Sequence, residues 1–205
     1  GPNFPDGTAK AMNDWARRNR RSESLGFGGH SYYRIVPTAR YGQTHPEYYG
    51  LNAGKRFFLP KSKHGWQICT SNEDVVQLAI DYARELFENG NEIVSVSPND
   101  SGGFCQCEAC ENQGSVTDRA VILANRVAEA LAEEYPDRLV GLYGYMEALA
   151  PPSVPVHENV VVFLCRNESR LHDLTFDWFE SMFSPANARW REEVLDGWTA
   201  KAKHL

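Results

Sequence analysis

Short apolar runs that alternate with amphipathic helical stretches are the feature of this 205-residue chain that most restricts its fold. The continuous apolar run at residues 160–164 (VVVFL) is typical of a strand buried on both faces, as strands in parallel sheets are. Parallel neighbours need crossover connections, which the helices supply. The pattern therefore predicts an α/β fold with a parallel sheet. Predicted strands lie at residues 31–36, 92–97, 139–145 and 160–164, with a short one at 66–69, and predicted helices at 6–21, 71–89 (capped by Ser71), 117–134 and 187–203.

Length and charge narrow the class of protein. With 42% hydrophobic residues, the chain can bury one core, and we expect a single domain over residues 1–205, with Gly1-Pro2 resembling the scar of a cleaved tag. The net charge of −6, with acidic and basic residues interspersed, argues against a nucleic-acid partner. No apolar run approaches the roughly 20 residues that span a bilayer. The sequence alone leaves the compartment open.

Polar side chains follow the predicted strands where each strand ends. Asn99 and Asp100 follow one strand, Tyr145 and Glu147 the next, and Glu168 the last. A ring of such residues at the carboxyl ends of consecutive strands is the layout of a TIM-type (β/α) barrel, which we favour over an open doubly wound sheet. Only about five strands can be counted where a closed barrel needs eight. The chain would then hold part of a barrel.

Three of the five cysteines, Cys105, Cys107 and Cys110, form a CxCxxC cluster directly after the predicted turn at residues 98–103, which contains Asp100. Three thiolates this close can ligate zinc if Cys69 or Cys165 supplies the fourth ligand. An iron–sulfur cluster, a disulfide or free packed thiols are the other interpretations. With every position filled by sulfur, such a metal would be structural, which argues against a metal-dependent hydrolase.

The early part of the chain is rich in aromatic and basic residues that could bind a ligand. Aromatic rings flanked by polar residues suit stacking on sugars, although aromatic residues more often lie in the core. Residues 41–64 are irregular and long enough to form a functional loop. The binding candidates are His30, Arg34, His45, Glu47, Arg56, His64 and Trp66, together with Tyr145 and Glu168 after later strands.

Six separated motifs carry a resemblance to a known family. They are HSYYRIVP, HPEYYGLNAGKR, QICTSNEDVV, SVSPNDSGGFCQCEAC, NRVAEALAEEYPD and PPSVPVHENVVVFLC, in that order. Together they resemble the bacterial domain of unknown function numbered 4838, which overlaps the endo-β-N-acetylglucosaminidases of glycoside hydrolase family 163. The resemblance implies a TIM-like barrel, with this chain holding its middle, and a carbohydrate substrate of the N-glycan class. It also favours export to the periplasm or cell surface.

The resemblance implies a retaining glycoside hydrolase in which the substrate's acetamide acts as nucleophile, with no cofactor required for catalysis. Asn99 would orient that acetamide and Asp100 would protonate the leaving oxygen, with Glu147 and Glu168 as reserve acids. The alternative interpretation is that Asn99 and Asp100 simply form a turn, in which their side chains hydrogen-bond to nearby backbone groups. The alternative for the whole domain is a non-catalytic barrel that binds glycans or a partner through the same aromatic cleft.

Overall fold

A three-stranded parallel sheet forms the centre of the protein. The computed structural model describes residues 29–165, 176–177 and 179–205. In the sheet, β3 pairs with β4 and β4 with β5, so that Ser95, Gly141 and Val161 lie side by side. This confirms the parallel order predicted for the last three strands. The strands of the described residues are β1 (Leu51–Asn52), β2 (Lys55–Arg56), β3 (Ile93–Ser95), β4 (Leu139–Gly144) and β5 (Val160–Leu164).

Two long helices cover this sheet. They bury one apolar face each against one another and against β3 and β4, which places the main core between helices and strands. Several short helical segments complete the described part. The α-helices are α1 (Tyr32–Ile35), α2 (Thr38–Tyr41), α3 (Glu73–Glu88), α4 (Glu108–Glu111), α5 (Val116–Leu131), α6 (Ala188–Trp190) and α7 (Asp196–Thr199), with 3₁₀ turns at Pro46–Tyr48, Met146–Ala148 and Pro185–Asn187.

Two predicted elements are corrected by the structure. Residues 31–36, predicted as a strand, contain helix α1, because Tyr32, Ile35 and Val36 are buried at helical spacing while Arg34 is exposed. The N-cap of α3 is Asn72 rather than Ser71, since the Asn72 carboxamide accepts the backbone N–H groups of Asp74 and Val75.

The segments that flank the long elements depart from the predictions in detail. The loop 41–64 contains the antiparallel hairpin β1–β2, and the predicted strand at 66–69 is reduced to one bridge between Tyr49 and Ile68. The C-terminal helix contains a π-helical stretch, Arg191–Leu195, between α6 and α7. The helix predicted at residues 6–21 lies outside the described residues.

Both edges of the sheet continue in chain order. On one side, the Ser31 N–H donates to the Ser97 carbonyl at 3.1 Å, so residues 29–31 run beside the end of β3. On the other, His204 forms a parallel bridge to Val161, and its carbonyl accepts the Val162 N–H. The described sheet is open, and a closed barrel is not seen in it. None of the described helices combines the length and apolarity of a membrane crossing.

Candidate functional site

A cleft lies at the carboxyl ends of β3 and β4, where parallel α/β proteins usually bind their ligands. One wall is the turn that follows β3, and the other is the 3₁₀ turn that follows β4. His30 closes one side. The lining residues are His30, Pro98, Asn99, Ser101, Phe104, Tyr143, Tyr145, Met146, Glu147 and Ala148.

The turn after β3 is held in place by Gln67. The buried Gln67 carboxamide donates to the carbonyls of Asn99, at 2.8 Å, and Ser101, at 2.7 Å. Its oxygen accepts the Asn99 N–H at 3.0 Å. The three bonds fix the backbone on both sides of Asp100.

The Asn99 side chain lies inside the protein at 3% exposure. Its oxygen accepts the Tyr33 N–H at 2.8 Å, and its nitrogen donates to the Trp66 carbonyl at 3.0 Å. Both ends of the carboxamide therefore bind the backbone, which ties the turn to α1 and to residue 66. Asn99 therefore borders the cleft, but its side-chain hydrogen bonds stabilise the fold.

Asp100, Tyr145 and Glu147 converge from the two turns. Burial raises the pKa of the Tyr145 phenol, and the Asp100 carboxylate raises it further, both as a neighbouring negative charge and as a hydrogen-bond partner. The charge of Glu147 acts in the same direction. The Glu147 carboxylate packs against Gly102, where an added Cβ would lie 3.4 Å from Oε1. The half-buried Glu147 carboxylate and the Tyr145 hydroxyl thus line the cleft, and the half-buried Asp100 carboxylate lies beside them, against Tyr145.

His30 presents one ring nitrogen to the cleft. Its Nδ1 lies 2.6 Å from the Pro98 carbonyl oxygen, which can only accept, so Nδ1 carries the proton of the neutral ring. Nε2 of the neutral ring is then an acceptor. The ring packs against Tyr143, at 5.2 Å between centroids, and Tyr145, at 5.8 Å. These rings give the cleft an aromatic side.

Backbone strain is concentrated at this cleft. Among the described residues other than glycine, only Ala53, Ser101 and Met146 have positive φ, and the last two line the cleft. A left-handed conformation costs a residue with a side chain of order 1–3 kcal/mol, and such strain clusters at functional sites. Met146 directly precedes Glu147, so its conformation sets where that carboxylate lies.

The remaining predicted binding residues lie elsewhere. Trp66 is 1% exposed and donates to the Ser62 carbonyl, so its ring packs in the core instead of facing a ligand. Arg34 is exposed and donates to the Tyr33 hydroxyl. His45 stacks on Tyr48 and pairs with Glu47 at the surface. His64 is exposed, with its ring 6.1 Å from that of His30. Glu168 lies outside the described residues.

The cysteine loop forms a second centre. The sulfur atoms of Cys69, Cys105, Cys107 and Cys110 all lie within 4.8 Å of one another. The predicted convergence of Cys105, Cys107 and Cys110 is confirmed, and the fourth member is Cys69. Cys165 is not part of this group. It lies directly after β5, where its charge helps to raise the pKa of Tyr145. Such a set of thiols could hold a metal ion.

Polar hydrogens surround the four sulfur atoms. The Leu51 N–H donates to Cys105 Sγ at 3.3 Å, Arg56 Nη1 lies 3.6 Å from the same sulfur, and the Ser71 hydroxyl lies 3.1 Å from Cys110 Sγ. Hydrogen bonds from Cys105 and Cys110 lower the pKa of the Cys69 thiol well below its usual range. The same contacts raise the pKa of the Cys105 thiol, so the negative charge is concentrated on Cys69.

Several residues that build the cleft carry only weak signals in the sequence. Gln67 and Phe104 carry no motif chemistry, and Met146 is conspicuous only through its backbone. Ser97 accepts the Tyr143 N–H through its hydroxyl, which joins β3 to β4 just below the cleft. Ser95 and Ser97 lie in the buried stretch SVS. Because buried hydroxyls need hydrogen-bond partners, these two serines were the sequence signal for this link.

Comparison with known proteins gives one result. The model of the family described as Domain of unknown function (DUF4838) matches residues 2–205, nearly the whole chain. No curated protein and no solved structure matches the chain.

Proposed function

Because this chain belongs to the DUF4838 family, whose description names no function, we propose an activity from the cleft: hydrolysis of glycans that contain N-acetylglucosamine. One observation carries the proposal. Glu147 lines the cleft beside Tyr145 and His30, and Asp100, which follows the adjacent parallel strand, reaches its edge through a hydrogen bond with the Tyr145 hydroxyl. Glycoside hydrolysis typically uses two carboxyl groups that flank the scissile bond.

The reaction we propose retains configuration through the substrate's own acetamide. The acetamide oxygen attacks the anomeric carbon, the glycosidic bond breaks, and the leaving oxygen takes the proton of Asp100. Water then attacks the anomeric carbon and opens the cyclic intermediate. The attacking water loses one proton to the Asp100 carboxylate, which restores the acid. The reaction needs no cofactor.

The orienting role falls to Glu147 in this proposal. Asn99 was the sequence-based candidate, but its carboxamide already binds the backbone of Tyr33 and Trp66. The Glu147 carboxylate can accept the acetamide N–H, which holds the acetamide oxygen toward the anomeric carbon. The Tyr145 hydroxyl donates to Asp100 and limits its movement.

The fold we propose for the domain is a TIM-like barrel. In a doubly wound sheet the strand order reverses at a switch point, whereas in a barrel consecutive strands are neighbours throughout. Strands β3, β4 and β5 are neighbours in chain order, and residues 29–31 and 204 extend that order at both edges. This unbroken order supports the barrel.

The test compares Asp100→Asn and Glu147→Gln on an N-glycan and on an aryl glycoside of the same sugar. Loss of the acid should slow glycan hydrolysis by about 10²–10⁴-fold, and aryl glycoside hydrolysis much less, because an aryl leaving group needs little protonation. Glu147→Gln should slow both substrates comparably, since ring closure is needed whatever leaves. A glycan whose acetamide is replaced by a hydroxyl should not react.

The matched control is Glu108→Gln, an exposed glutamate in α4 outside the cleft, which should keep full activity. Near-native activity of Asp100→Asn on the glycan would refute the assignment of the acid. The alternative function is a non-catalytic domain that binds the same glycans. It predicts saturable glycan binding by the wild type with no turnover of either substrate.

The four-cysteine cluster has no catalytic part in this proposal. Its sulfur atoms are largely buried, and none of the four cysteines lines the cleft. We assign it a structural role.

A further inference from the structure

We infer that Cys69, Cys105, Cys107 and Cys110 bind one zinc ion in a closed, tetrahedral, four-thiolate centre. The first reason is the spacing of the sulfur atoms. With zinc–sulfur bonds of about 2.3 Å, the edges of a regular tetrahedron of sulfurs are about 3.8 Å long. Cys69 Sγ lies 3.7 Å from Cys107 Sγ and 3.8 Å from Cys110 Sγ. These two distances match that edge, and all the sulfur–sulfur distances stay below 4.8 Å.

The same distances disfavour the other fates of these cysteines. A disulfide needs its sulfurs about 2.05 Å apart, and none of these thiols is paired. A multi-iron cluster places iron and sulfide between the thiolates, so its cysteine sulfurs lie farther apart than those around one ion. All four sulfurs lie within 4.8 Å of one another, which leaves room for a single ion.

The surrounding donors match the charge of such a centre. Four thiolates and one divalent ion carry a net charge of −2, which is costly to bury without compensation. The Leu51 N–H and the Arg56 guanidinium approach Cys105, and the Ser71 hydroxyl approaches Cys110. Donors of this kind orient thiolate ligands and spread their charge. The Ser71 hydroxyl contacts the cysteine sulfurs, and Asn72 caps α3 in its place.

The location of the centre indicates its purpose. It joins three segments: Cys69 before α3, Cys105 and Cys107 in the loop after β3, and Cys110 in α4. The hairpin β1–β2 rests on the same loop through the bond from the Gln106 N–H to the Leu51 carbonyl. A four-turn helix and a buried strand are therefore tied to a long loop with little regular structure. Because sulfur fills all four positions, the ion can brace this loop but cannot bind substrate.

The test measures metal content and thiol reactivity of the purified protein. The chain is produced with both zinc and iron in the medium, and metals are quantified by mass spectrometry. We expect one zinc per chain and four thiols protected from a thiol reagent until the protein is denatured. Cys110→Ser should lose the zinc, whereas the matched control Cys165→Ser should keep it.

A second measurement covers the case in which Cys110→Ser fails to fold. The wild-type protein is stripped with a chelator and refilled with cobalt(II), which should give the visible absorption of tetrahedral thiolate coordination and be displaced by one equivalent of zinc. Iron in place of zinc, less than stoichiometric metal, or native-state reaction of all five thiols would overturn the inference. Each result is independent of glycosidase activity, so the two proposals can fail separately.

Discussion

At the scale of single residues, the cleft depends on side chains that have no reactivity of their own. Gln67 and Asn99 are both buried, and each binds backbone on the opposite segment, so that residues 66–67 and 99–101 hold one another. Buried amides of this kind are costly unless they are hydrogen-bonded, and these two make five bonds to backbone groups. Gln67 therefore fixes the backbone on both sides of Asp100, next to the cleft.

Gln67→Leu is predicted to destabilise the protein by about 3–5 kcal/mol, because it leaves the Asn99 N–H and the carbonyls of Asn99 and Ser101 without partners in the interior. Urea denaturation gives the free energy of unfolding. The control is Gln77→Leu, whose side chain bonds only to Asp81 on the exposed surface of α3 and should change stability by less than about 0.5 kcal/mol. Equal effects for the two variants would contradict the role of Gln67.

At the scale of elements, one carboxylate fastens the start of α5 to the loop before β5. Asp118 is 3% exposed and completes a capping box with Ser115. The same carboxylate accepts the Ser153 N–H and hydroxyl. Burial alone would raise its pKa, but the hydrogen bonds from Ser115 and Ser153 lower it. The helix and the proline-rich loop therefore share one charged anchor.

This anchor predicts how stability depends on pH. The folded-state pKa of Asp118 lies below its unfolded value of about 3.9, so its stabilisation is complete above that pH and is lost as pH falls through the folded value. Asp118→Asn should be less stable than the wild type at pH 7, and the difference should shrink below about pH 4. Asp137→Asn, at an exposed position, is the control. A difference in unfolding free energy that stays constant from pH 7 to pH 3 would contradict this.

Long elements could be predicted from the sequence, and short ones could not. Helices α3 and α5 carry four turns of apolar periodicity, and β5 is apolar throughout, so packing and pattern agree. Residues 31–36 are too few for the pattern to separate strand from helix, and tertiary packing of Tyr32 and Ile35 decided it. Ser71 and Asn72 are both good caps, and the neighbouring thiols engage Ser71.

The candidate site divides in the same way. Its position was predictable, because ligands bind at the carboxyl ends of parallel strands and Asp100 and Glu147 follow two of them. The three adjacent cysteines were predictable as a cluster from their spacing alone. The fourth ligand required the tertiary fold, since Cys69 and Cys165 both follow apolar stretches and only the packing of α4 against residue 69 distinguishes them.

At the scale of the whole molecule, the sheet is the element that orients everything else. β4 is paired on both sides, and the two carboxylates of the cleft follow β3 and β4. If the sheet continues beyond β3 and β5, its flanking hydrogen bonds belong to interior strands. If it ends there, they belong to frayed edges, which open at little cost in free energy.

Hydrogen exchange separates these cases through four amides. The Ser31 N–H bonds to the Ser97 carbonyl and the Val162 N–H to the His204 carbonyl, both at 3.1 Å, while the Val96 N–H bonds to Gly141 inside the sheet. We predict that the Ser31 and Val162 amides exchange as slowly as the Val96 amide. They should exchange at least about 1,000-fold more slowly than the amide of the exposed His64. The reason is that opening an interior strand costs nearly the free energy of global unfolding. Exchange of Ser31 and Val162 at the rate of His64 would show that the sheet ends at β3 and β5, and the barrel would be refuted with it.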